Sequence, residues 1–155
     1  MYAFVDQDVR VLDEGSRLVL WASRAWVCAV SRGECPEGHI GQEIAAVFQQ
    51  RGIADAFAHF GMVMLILNRH ARDDLDFGHL ACRRVHEGEA LLLSVLSSLR
   101  EAGEDDIRAT LNLLVEGEWG RSCLSAIRGL GLELADMGLL PRPPETNHQT
   151  TGGGR

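Results

Sequence analysis

The sequence predicts an all-α protein: a single-domain helical bundle of about six helices with a buried central helix at residues 53-70. Three observations carry this expectation. Apolar residues recur three and four positions apart in one stretch after another, which is the spacing of a helix face and not of a strand. Glycines and prolines punctuate these stretches at short intervals, and short connections make helix neighbours antiparallel. Finally, the stretch from Ile53 to Leu67, IADAFAHFGMVMLIL, is apolar on every side of a helical wheel. Such a helix belongs inside a bundle or in a membrane. Its 15 residues fall short of the roughly 20 that cross a bilayer, and it contains Asp55 and His59, so the bundle is its expected setting.

Taken in order, residues 1 to 12 are ambiguous, with Val9, Val11 and Leu12 fitting either a short strand or an arm laid on the bundle. Asp13 or Ser16 is placed to cap a first helix running to about Arg32. Its polar positions Arg17, Arg24 and Ser31 repeat every seven residues, leaving a wide apolar arc with one narrow wet stripe. Gly33 is a natural stop. Cys35-Pro36-Glu37 reads as the next helix start, since proline costs little at the first helical position. Ile40, Ile44, Val47 and Phe48 then form a clear amphipathic face closed by Gly52.

The central helix ends near residues 68 to 71. Residues 72 to 86, RDDLDFGHLACRRVH, break the periodicity and form the longest irregular segment. Glu87 and Glu89 suit the start of a helix whose stripe is Leu92, Val95, Leu96 and Leu99. Asp105 and Asp106 suit the cap of another, with Ile107, Leu111 and Leu114 inward. A last helix comes after it on the seam Cys123, Ile127, Leu130, Leu134 and Met137. Its glycines Gly120, Gly129 and Gly131 each weaken it by about 1 kcal/mol relative to alanine, unless they permit close helix contact. The domain is expected to span residues 1-140, and residues 141-155, without apolar periodicity, to be a disordered tail.

Composition narrows the function. A formal charge of −7 and a pI near 5.3 argue against nucleic acid and against an anionic membrane surface as partners. All fifteen basic residues are arginine, so Schiff-base enzymes and phosphate loops that need lysine are excluded. The N-terminal residues lack the pattern of a signal peptide, so a cytoplasmic protein with four free thiols is expected.

Four constellations are candidate sites. The first is His79-x2-Cys82-x3-His86, whose nitrogen and thiolate donors suit zinc, with Cys35-x3-His39 as a second half. Its spacing matches no standard zinc module, and Arg83 and Arg84 would repel a cation. Asp55 and His59, one turn apart, have the makings of a general-base pair, although a histidine on a buried helix ordinarily serves the core. His59, Met62 and Met64 line a conceivable cofactor cleft, but methionines there fill core gaps, and no cofactor is expected. The fourth candidate is an interaction surface built on Trp21, Arg24 and Trp119, since tryptophan and arginine are enriched at binding hot spots, with the acidic run from Glu101 to Glu118 facing a basic partner. Together these features favour a binding or regulatory module acting through self-association or a protein partner. Zinc binding at His79, Cys82 and His86 is the alternative, and an enzyme without a marked nucleophile comes third.

Overall fold

A computed structural model describes residues 3–145 of the 155-residue chain. Among the described residues it contains a short 3-10 helix, Val9–Val11, and six α-helices: α1 (Glu14–Ser31), α2 (His39–Gln50), α3 (Ala56–His70), α4 (Glu87–Ser98), α5 (Glu104–Leu114) and α6 (Trp119–Asp136). The protein is an all-helical bundle, as its periodicity predicts. The tightest association is between α3 and α6, and α1 packs on both α2 and α4. Phe48 sets its ring edge-on against both Phe57 and Phe60, fixing α2 on α3. Met64, Ile66, Leu96, Ile127 and Leu130 fill the common core.

The helix ends follow local chemistry. Asp13 caps α1, its Oδ1 accepting from the Ser16 N–H at 2.9 Å. α5 differs from expectation in its cap: Gly103 takes that position, and Glu104, Asp105 and Asp106 fill the first turn, where the helix dipole favours their charge. Pro36 does not open α2. The chain turns there and the helix begins at His39, with the Pro36 carbonyl lying over Gly41 where a side chain would collide.

Glycine serves close contact where α6 meets α3. A methyl group on Gly129 would overlap the His59 ring, which accounts for a glycine in the middle of that helix. The central helix is not enclosed on every side, however. Ala54, Ala58 and Met62 are exposed, Met62 to 48%, and Phe57, Gly61 and Leu65 are only half-buried. Part of the expected tail also belongs to the fold. Pro141 is buried, and the Arg100 guanidinium donates to the carbonyls of Leu140 and Pro141 at 2.6 and 2.5 Å. The rest of that segment, from residue 146, lies outside the described residues. No helix among the described residues is long and apolar enough to cross a membrane.

Candidate functional site

The irregular segment between α3 and α4 is held by a buried ion pair. Arg24, on α1, is 3% exposed and Glu89, in the first turn of α4, 1%. The Arg24 Nε–H donates to Glu89 Oε2 at 2.6 Å and Nη2 donates to Oε1 at 3.0 Å, the two-pronged geometry that suits a guanidinium to a carboxylate. The remaining capacity of both groups is spent on the loop backbone. Arg24 donates to the carbonyls of Cys82 at 2.7 Å and Arg84 at 2.8 Å. Glu89 accepts from the N–H groups of His86 at 2.8 Å and Gly78 at 3.0 Å. Every one of these groups would be costly to bury alone; together they clamp residues 78 to 86.

A second layer comes from the N-terminal arm. The Asp6 N–H donates to the Val85 carbonyl, Val85 N–H to the Gln7 carbonyl, and Val9 N–H to the Arg83 carbonyl, at 2.8–3.0 Å. The arm and the loop thereby form a short antiparallel bridge at Asp8 and Arg84. Gly88 N–H donates to the Asp76 carbonyl at 2.9 Å, and Gly88 has no room for a side chain against that backbone. The near side of the loop is thus fixed to the start of α4.

On this frame three side chains line up. Cys82 Sγ lies 3.2 Å from His86 Nε2, and His86 Nδ1 lies 2.9 Å from Asp76 Oδ2. Thiol, imidazole and carboxylate stand in the order by which a base is oriented by an acid and in turn withdraws a proton from a nucleophile. The electrostatics agree with the geometry. Hydrogen bonding at the Arg84 backbone, then the His86 imidazole, hold the Cys82 thiol below its ordinary value, against a smaller cost of desolvation. The Asp76 carboxylate, and next the Cys82 sulfur, raise His86 above the ordinary histidine value. Sγ also lies 3.6 Å from the Arg84 carbonyl, which can take the proton of the neutral thiol. Cys82 is half-buried, whereas Asp76 and the neighbouring Arg83 are exposed.

Of the expected ligand set, the structure brings Cys82 and His86 together and leaves His79 exposed, outside that contact. No group of three or more histidine, cysteine or acidic side chains arranged to hold a metal ion is found among the described residues. Cys35 is exposed, and His39 pairs with Glu43 at 3.1 Å. His59 packs against Gly129, while the Asp55 side chain makes no capping bond. Arg24 requires a correction. Its place in the heptad of polar residues puts it on the wet stripe of α1 as an interaction residue, yet it is buried, because Glu89 and two loop carbonyls replace its water. Trp21 is half-buried and lines a surface groove with Arg17, Val47 and Arg51. Trp119 is 38% exposed and stacks on His70, with ring centroids 3.9 Å apart and planes 9° from parallel.

Asp76 and Glu89 are the site residues that sequence spacing does not assign. His86-x2-Glu89 has the spacing of a capping box, and one half of that box is present in the bond from His86 N–H to Glu89. Asp76 sits ten positions before His86 in an aperiodic loop, where spacing carries no information. No protein-family profile matches this chain, and no curated protein or solved structure is significantly similar to it.

Proposed function

We propose that this helical module is regulatory and that Cys82 is its reactive group, a nucleophilic thiolate that exchanges with small disulfides. The observation that carries the reading is the alignment Cys82–His86–Asp76, with contacts of 3.2 and 2.9 Å on a clamped loop. In the exchange, the Cys82 thiolate attacks one sulfur of a low-molecular-weight disulfide. The new S–S bond forms as the old one breaks, and the departing thiolate takes a proton from His86 or from water. The imidazole supports the thiolate before attack. Once Cys82 is capped, that support is lost, and the change falls on the N-terminus of α4 and on the arm bridged to the loop. A half-buried thiol that is free of any disulfide among the described residues suits reversible capping and release.

One observation favours this over hydrolysis. A thiol hydrolase needs donors aimed at an oxyanion, and the Cys82 N–H already donates to the His79 carbonyl at 3.0 Å. Zinc remains the second reading, since a carboxylate behind a histidine is the usual support of a metal ligand. The test is reaction of the folded, reduced protein with oxidised glutathione, with the modified cysteine located by mass spectrometry. Cys82 is expected to form the mixed disulfide faster than exposed Cys35, and His86→Ala to remove that advantage. Equal rates at Cys82 and Cys35, or an unchanged rate in His86→Ala, would overturn the reading. One equivalent of zinc retained by the wild type and lost in Cys82→Ser would support the metal site instead.

A further inference from the structure

The apolar face that α3 leaves uncovered has the pattern of a helix that meets a second copy of itself. Ala58, Met62 and Leu65 succeed one another at intervals of four and three, and Asp55 and Arg69 continue that spacing at the two ends, the period of a seam between two helices. Phe57 and Gly61 flank the seam on one side, and with Met62, Trp26, Pro36 and the exposed Glu37 they line a groove of about 280 Å³. A side chain at Gly61 would meet nothing within 4 Å, so the face is open beside Met62. Nothing charged interrupts it between Asp55 and Arg69 apart from His59, whose ring is turned to α6.

The two ends of the face indicate what covers it. Asp55 and Arg69 stand seven positions before and after Met62, so all three lie near one line along the helix. Both charged residues are exposed. Neither forms an ion pair or a side-chain hydrogen bond among the described residues. Asp55 even occupies the N-cap position of α3 without capping it. An antiparallel copy related by a two-fold axis at Met62 sets Asp55 of each chain beside Arg69 of the other. That gives two equivalent ion pairs at the ends of one apolar seam, the self-complementarity that a two-fold interface demands.

We infer that the exposed face of α3 is a homodimer interface, formed by antiparallel pairing of α3 from two chains with Met62 at the axis and Asp55 opposite Arg69. The inference is independent of the chemistry assigned to Cys82. Alanine on the seam and glycine beside it let the helices approach closely, and Met62 supplies an adaptable apolar contact at the axis. One helix face is a small area by the standard of permanent dimers, so the pairing belongs to the micromolar range and depends on concentration.

The test is sedimentation equilibrium of the full chain at about 100 µM, where a micromolar dimer is saturated. The wild type is expected at twice the 17.0 kDa chain mass. Met62→Glu places two carboxylates at the axis and is expected to weaken the dimer at least about tenfold, with an unchanged far-ultraviolet spectrum because Met62 is half exposed already. Asp55→Arg and Arg69→Asp each create like-charge contacts and should weaken it, whereas the double exchange should restore it. Four results would overturn the inference: a monomeric wild type, a dimer indifferent to Met62→Glu, a dimer indifferent to either single exchange, or a double exchange that fails to rescue. A wild-type monomer that binds an unrelated protein through this face would assign the face to a different partner.

Discussion

The carboxylate of Glu89 and the guanidinium of Arg24, 65 positions apart in the chain, meet in the interior and between them hold four backbone groups of a single loop. An ion pair sealed from water contributes little net stability by its charges alone, because both ions give up their hydration. Its energetic weight emerges when one partner is lost. Arg24→Met strands a buried carboxylate and Glu89→Gln strands a buried cation, and each is expected to cost about 3–5 kcal/mol. The double variant carrying both Arg24→Met and Glu89→Gln should cost less than the sum of the two. Urea denaturation of the four proteins measures this, and strict additivity would show that the pair is not coupled.

The site has a pH signature. Alkylation by iodoacetamide follows the thiolate, so the rate at Cys82 should rise along a curve whose midpoint lies below the 9.0 of an ordinary thiol. His86→Ala should move that midpoint upward. Asp76→Asn should move it in the same direction by less, since Asp76 acts on the thiol only through His86. A wild-type midpoint at the ordinary value would contradict the alignment.

Stability should respond to pH in a defined sense through His86. Its value is raised in the folded protein, chiefly by Asp76. The protonated imidazole therefore favours the folded state. That contribution is complete below the ordinary 6.5, provided Asp76 is still ionised, and disappears as pH rises through the raised value. The stability difference between wild type and Asp76→Asn should accordingly be largest between about pH 5 and 6 and shrink toward alkaline pH. Both groups reach solvent, so the difference is small in magnitude. A difference that grows with pH would have the wrong sign.

The sequence shows the helices far better than it shows the site. Each helix buries a face, and burial leaves a period in the chain: Ile107, Leu111 and Leu114, or the seam from Cys123 to Leu134, are legible because water selects them one turn at a time. Cys82 and His86 stand out by type and proximity. Their third member does not, because Asp76 joins them through the path of a loop, which has no period. Arg24 misleads for a related reason. A heptad of polar residues reads as a wet stripe, and only the distant Glu89 converts one of its positions into the interior. The exposed face of α3 is hidden in the opposite way, since an apolar residue facing solvent and one facing the core look alike in the chain.

The remaining cysteines supply an internal standard. Burial pushes the Cys123 thiol up to about 11, so Cys123 should resist alkylation at neutral pH until the bundle opens. Its rate should track global unfolding in urea, while Cys82 reacts without denaturant. Early labelling of Cys123 would mean that α6 opens independently of the rest.

Two glycines test opposite consequences of helix packing. Gly15, in the first turn of α1, faces the backbone carbonyl of Leu139, and a methyl group there would overlap it. A backbone carbonyl cannot rotate aside, so Gly15→Ala must separate α1 from the segment after α6. The expected cost is about 1–3 kcal/mol, in spite of alanine's better helix propensity. Gly61, in the middle of α3, has open space at the same position. In the isolated chain, Gly61→Ala should gain most of the roughly 1 kcal/mol by which alanine exceeds glycine in a helix. Thermal melts at low protein concentration, where self-association is absent, separate the two effects. If Gly61→Ala destabilised the monomer, its side of α3 would have to be covered; if Gly15→Ala were neutral, the contact between α1 and Leu139 would have to be loose enough to yield.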